Sequence, residues 1–317
     1  MNGIEEAIIR TVVYADVFNF PLTIPEIHHF LISRQHYTCD EIAAALSGSA
    51  RLSRLFRLEG EYVLCHDRSE IVGLRQRREA AASRLFPLAL RYGVWLARLP
   101  FVRMVAITGA LSVRNPDDDD DDLDYVLVTA SGRVWTARAF AVLLVRLARL
   151  RGVTLCPNYV LSETALFQQR HDIFMAHEVA QMVPVYGGRI YRQMRDCNGW
   201  VFDHMANAVD AFYQPAEYQP RRGWRWFKAG LERLLLTPLG TRFEAWEYRR
   251  KRARFDREMQ KKHHAAVIDP EHVKGHFNDH GHPVLRRYAE RLREFGVSAD
   301  SHRAERIGEY VSVSESE

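Results

Sequence analysis

The sequence predicts an α+β chain in three parts: a small helical module closed by a hairpin, a central α/β domain with a short mixed sheet, and a basic helical C-terminal region. Three observations predict it. Helical spacing and two capping signals fill the first 68 residues, and apolar β-branched runs alternate with helical ones between residues 99 and 200. Charge also changes sign along the chain. Residues 1–68 carry 6 Arg, no Lys and 9 acidic side chains, a net of −3, whereas residues 221–262 carry 14 basic and 5 acidic ones, a net of +9.

Composition limits the function classes. The 317 residues are 47% hydrophobic and 26% charged, which excludes a wholly disordered or collagen-like chain. The overall charge of +4 is too slight to imply a nucleic-acid partner by itself. No apolar run approaches the ~18 residues of a membrane span. The first twenty residues carry Glu5 and Glu6 and lack a basic start before an apolar block, so no signal peptide is expected. Cys39, Cys65, Cys156 and Cys197 form no CxxC pair, and a reduced, cytoplasmic protein is the expectation.

In residues 1–68, Ile4, Ile8, Thr11, Val12 and Ala15 recur at helical spacing until Phe20-Pro21 breaks the helix. Thr23 then caps a second helix with Pro25 and Glu26 in its first turn, and Thr38 with Glu41 is a capping box for a third, CDEIAAAL, ending near Gly48. LFRLEGEYVL gives two alternating runs about Glu59-Gly60, a hairpin. Three helices and a hairpin make a winged helix-turn-helix topology. Such modules often read DNA with the third helix. That helix here carries Asp40 and Glu41 and no Lys or Arg, and a net of −3 disfavours phosphate contact. Arg51, Arg54 and Arg57 keep DNA open as a partner beside a docking role.

Residues 69–98 read as a long connecting helix. Arg75, Arg77 and Arg78 are expected outside, Leu85, Leu88, Leu96 and Leu99 inside, and Pro87 is expected to start or kink a helix.

The stretch with chemistry is VRMVAITGALSVRNPDDDDDDLDYVLVTA, residues 102–130. A strand from Val102 to Thr108 ends at Gly109-Ala110, and the next, Leu123 to Val128, starts inside a run of aspartates. Asp117 to Asp120 suit a solvated acidic loop. Asp124 does not, because LDYVLV reads as a buried strand. Alternate strand residues share a face, so Asp122 and Asp124 point the same way. Paired carboxylates repel unless a cation lies between them, and Mg²⁺ suits carboxylates together with substrate phosphates.

A turn glycine followed by Asp-hydrophobic-Asp on the next strand resembles the nucleotidyltransferase superfamily related to DNA polymerase β. Gly109 matches its glycine, and Asp122 and Asp124 its metal-binding pair. The longer string GALSVRN…DDLDYVLVT resembles a bacterial group of winged-helix proteins with a nucleotidyltransferase domain, whose pattern is GSLAMGN…DDIDLLIVT followed by a CPNY strand. That strand is present as LCPNYVLSE, residues 155–163. YADVFNFPLT and AHEVAQMVPVYGG extend the likeness over most of the chain.

The resemblance implies a nucleotidyltransferase domain at 99–200, with a winged module at 1–68, a connecting helix at 69–98 and a helical domain at 201–317. It implies transfer of a nucleoside monophosphate from an NTP to a hydroxyl acceptor, with Mg²⁺ or Mn²⁺ and loss of pyrophosphate. The acceptor is open among a small molecule, a protein and an RNA. Asp122 and Asp124 would hold the metal, and Gly109 would let backbone approach the phosphates.

Two departures stand out. The serine that normally follows the glycine is Ala110, with Ser112 a substitute two residues late. The third carboxylate, which would act as general base, is missing from the strand Val153 to Leu161, whose inward polar residues are Thr154, Cys156 and Asn158. Asn158 can ligate weakly but cannot take a proton at neutral pH. The base role therefore falls to Glu163, just past the strand. These departures leave a second reading open: a catalytically degenerate domain that binds nucleotide or a partner, regulatory through its winged helix.

Other segments carry weaker signals. His272, His276 and His280 would share a face if helical, although Gly275 and Gly281 argue against a helix. Lys274 is expected to contact phosphate. Arg189, Arg192 and Arg195 suit either the triphosphate or solvent. In His177-Glu178 the glutamate is only an outside candidate for an acid. The basic stretch around Trp224, Trp226, Phe227 and Trp246 suits nucleic acid, an anionic membrane surface or, as the favoured reading, a helix packing its aromatics inward.

Overall fold

The computed structural model describes residues 3–259, 268–274 and 281–298. The protein is α+β, with a small antiparallel sheet and a mixed five-stranded one. All four cysteines are free. Among the described residues no helix is long and apolar enough to cross a membrane.

The first part runs α1 (Gly3–Asp16), β1 (Leu22–Thr23), α2 (Ile24–His29), α3 (Cys39–Gly48), α4 (Leu52–Leu55), β2 (Phe56–Glu59) and β3 (Tyr62–Cys65). Both capping boxes form, Thr23 with Glu26 and Thr38 with Glu41. Gly60 turns the hairpin at φ +64°. β1 pairs with β3, a two-residue strand too short for any pattern to announce.

α5 (Glu70–Ala97) then runs through Pro87 as one helix. Its faces explain why the proline does not end it: Ala82, Leu85, Ala89, Tyr92 and Leu96 all enter one core, so tertiary packing holds both halves in register. Arg75 is a correction. It is 2% exposed, not outside, because Glu26 and Glu79 each accept from it at 2.7 Å and Phe20 lies 3.8 Å beneath its guanidinium.

The central sheet is built from β4 (Val102–Ile107), β5 (Leu123–Thr129), β6 (Leu155–Ser162), β7 (Val183–Tyr186) and β8 (His272–Lys274), in the order β7-β4-β5-β6-β8. β5 and β6 are parallel, joined over α7 (Val134–Arg149), and every other pairing is antiparallel. A four-residue helix, α6 (Gly109–Ser112), links β4 towards β5. Strand alternation sorts the faces. Val105, Ile107, Tyr125 and Leu127 pack with α5 and α7. Met104, Ala106, Val126 and Val128 pack with α8 (Ile173–Ala180) and α9 (Gly188–Cys197).

The chain after residue 201 is spread over this body. α10 (Arg222–Leu235) and α11 (Pro238–Met259) lie by the start of β4 and the start of α7. β8 closes the sheet edge, and α12 (Gly281–Glu294) puts Tyr288 and Leu292 into the core of the N-terminal part. The expected inward packing of the aromatics does not hold. Trp226, Phe227 and Trp246 are exposed and Trp224 is half-buried, because the half-buried stripe that holds α10 is set by Trp224, Lys228 and Glu232.

Candidate functional site

Asp122 and Asp124 stand at the start of β5, on the sheet face that carries α8. The turn before α6 packs against Asp124. Thr108 N–H donates to Asp124 O at 3.1 Å, and Gly109 follows at φ +66°. A Cβ at position 109 would lie 2.4 Å from Asp124 Oδ2, so only glycine fits.

The register of β5 on β6 sets Cys156 opposite Asp124. Asn158, two residues on, donates from Nδ2 to Asp124 Oδ1 at 3.1 Å, and the Cys156 thiol also donates to this carboxylate. Burial nevertheless pushes Asp124 up to about 7, with Glu178, Asp122 and Asp121 adding repulsion. Cys156 is pushed up to about 12 by burial and by Asp124, so it remains a thiol at neutral pH.

These residues open on a cavity of about 1000 Å³. Gly109, Ala110, Asp122, Asp124, Asn158 and Lys274 all line it. Lys274 arrives on the edge strand β8, paired with Tyr159. Among the described residues no three His, Cys, Asp or Glu side chains form a ready-made metal cage. Two strand carboxylates suit an ion that brings phosphate oxygens of its own, which is the way Mg²⁺ is commonly held.

Other expected residues lie elsewhere. Glu163 follows β6 at the far end of the sheet, where its N–H donates to Thr129 O at 2.8 Å. Asp124 pairs with Cys156 at the near end, and seven strand residues from Cys156 to Glu163 span roughly 23 Å. Glu163 therefore cannot serve these aspartates. Ser112 is buried and donates to Gly109 O at 2.7 Å, so its hydroxyl braces the turn and does not line the cavity. Arg195 is buried and donates to the carbonyls of Val179 and Ala208, while Arg189 and Arg192 are exposed and outside the cavity lining. His272 lies on a strand, its Nδ1 3.0 Å from Asp269 Oδ2; His276 and His280 lie outside the described residues. The acidic loop is partly tied down, with Arg78 on Asp117 and Arg84 on Asp119.

Glu178 enters the site instead. It lines the cavity from α8, accepts from Gln181 Nε2 at 2.8 Å, and is raised by burial while Lys274 draws it back down. A charged residue inside the apolar run MAHEVAQMV was the sequence signal for it. Its neighbour His177 donates from Nδ1 to Ile173 O at 2.8 Å and stacks on Tyr14 of α1 at 3.9 Å. Burial lowers His177 to about 4, leaving it neutral. Tyr14, Phe18, Phe20 and Phe30 carry the N-terminal part into the cavity wall. Arg170 and Arg287 add cations to the lining.

Comparison with protein-family models, with curated proteins and with solved structures matches this chain to none of them.

Proposed function

We propose that this protein is a nucleotidyltransferase that moves a nucleoside monophosphate from an NTP to a hydroxyl acceptor. The observation that supports it most is the contact of Gly109 with Asp124, inside a cavity that also holds Asp122 and Lys274. On this reading residues 1–68 are a winged helix, supported by the order of α1 to β3 and the β1-β3-β2 sheet.

Asp122 and Asp124 would hold Mg²⁺ or Mn²⁺, which when bound offsets the charge of the triphosphate and of the departing pyrophosphate. Lys274 attracts the phosphates as a point charge, and Arg287 of the lining offers them a planar fork of donors. Asn158 and Cys156 orient the Asp124 carboxylate through their donated hydrogens. The acceptor oxygen forms a bond to the α-phosphorus as the bond to the bridging α–β oxygen breaks. Glu178, the cavity acid that comes from α8, takes the acceptor proton; its raised pKa suits a general base.

Ala110 and Asn158 favour the second reading, a domain that binds nucleotide without turnover, since a hydroxyl and an acid are both missing there. Incubation with each α-labelled NTP and Mg²⁺ or Mn²⁺ separates the two. Pyrophosphate release that disappears in Asp124→Ala supports the transferase. Tight nucleotide binding with no release supports the binding protein.

A further inference from the structure

We infer that the outward face of α10 and the start of α11 docks this protein on an anionic lipid bilayer surface. α10 is held along a single stripe. Trp224 Nε1 donates to Arg98 O at 3.3 Å, Lys228 Nζ donates to Ala97 O at 2.9 Å and Val102 O at 2.6 Å, and Glu232 accepts from Phe101 N–H at 2.7 Å and from Arg103. These residues recur every fourth position, so they occupy one face. Leu231 and Leu235 are half-buried beside this stripe, Leu235 against the core, and no residue of α10 is fully buried.

The outward face is apolar where solvated helices are polar. Trp226 is 76% exposed, Phe227 60% and Leu234 67%, and Leu236 and Leu239 continue the patch through the turn into α11. Contiguous exposure of this kind marks an interaction surface.

Its charge identifies the partner. Between residues 221 and 246 the acids are Glu232 and Glu244. Both turn inward, Glu232 to Arg103 and Glu244 to the N–H groups of Trp135 and Thr136 that open α7. Arg222, Arg225, Arg233 and Arg242 stay exposed among the apolar residues. A face of arginine, tryptophan and leucine whose own two acids, Glu232 and Glu244, turn inward matches the headgroup boundary of an anionic bilayer, where tryptophan settles and arginine meets phosphate. A second copy of the same face would oppose arginine with arginine across a two-fold axis. Nucleic acid would use the arginines and aromatics but leave Leu234, Leu236 and Leu239 in water.

The test is co-sedimentation of the full chain with vesicles of roughly 70% phosphatidylcholine and 30% phosphatidylglycerol, against vesicles of phosphatidylcholine alone. Binding is expected to the anionic vesicles and to weaken as salt rises. It should drop roughly tenfold in Trp226→Ser/Phe227→Ser and in Arg222→Glu/Arg225→Glu, with the melting temperature unchanged because all four side chains are exposed. Absence of binding, equal binding to neutral vesicles, or binding untouched by both variants would overturn the assignment. A dimer seen by ultracentrifugation and lost in the same variants would give the face to a second copy instead. Salt-sensitive binding of single-stranded RNA without vesicle binding would give it to nucleic acid.

Discussion

Gly109 and Asp124 are fitted to each other: the space a side chain would need at position 109 is taken by the Asp124 carboxylate, whose Oδ2 would lie 2.4 Å from a Cβ. The left-handed backbone at Gly109, φ +66°, adds a second reason for glycine. Gly109→Ala must both strain the turn and push the carboxylate aside. A cost of about 1–3 kcal/mol in a denaturant titration is expected. The cost should shrink when Asp124→Ala is combined with it, because the clash is then gone. Equal costs in both backgrounds would place the whole effect in the backbone.

The acidity of Asp124 makes stability depend on pH. Burial and the neighbouring acids push its carboxyl up to about 7, so the folded state keeps a proton that the unfolded chain releases. That contribution is complete below the unfolded carboxyl pKa of ~3.9 and is lost as pH rises through about 7. Asp124→Asn cannot ionise. It should therefore gain on the native protein between about pH 5 and pH 8, by an order of 1–4 kcal/mol. Parallel melting curves of the two proteins across that range would show that the acid is not buried against its neighbours.

Arg75 sits between Glu26 and Glu79 with its guanidinium over Phe20. Removing it leaves Glu26 buried and without its cation. Arg75→Ala should destabilise by about 3–5 kcal/mol in urea. Arg75→Met with Glu26→Gln should cost less than the two single changes summed. Additive costs would mean that the pair is not coupled.

The proton acceptor is decided by two conservative changes. Glu178→Gln should cut turnover by about 10²-fold or more, with nucleotide affinity nearly unchanged. Glu163→Gln, at the other end of β6, should leave both alone. The reverse outcome would restore Glu163 to the role that sequence position suggested.

Much of the fold was legible because local signals agreed with it. Thr23 and Thr38 announced their helices and Gly60 its hairpin; the apolar runs from Val102 and Leu123 are strands, and the run expected from Val153 is one that starts at Leu155. Tertiary contacts hid the rest. Arg75 reads as a surface residue until Glu26, 49 positions earlier, comes to meet it. The Asp-x-Asp pair could be read from strand period alone. Glu178 stood out only as a charge inside an apolar run, and its place beside the pair needed the fold that carries α8 over this sheet face. Glu163 was misjudged because nearness in sequence to Asn158 is distance along a strand.

The central claim is that Asp122 and Asp124 hold the metal-bound triphosphate of an NTP in this cavity. Titration calorimetry of each NTP with Mg²⁺, on the native chain, Asp122→Asn and Asp124→Asn, tests it most directly. At least one NTP should bind the native protein in a Mg²⁺-dependent way, and each variant should lose roughly 1.5–3 kcal/mol of that binding while keeping its cooperative melt. Affinity that is the same in all three proteins, or that ignores Mg²⁺, would contradict the account.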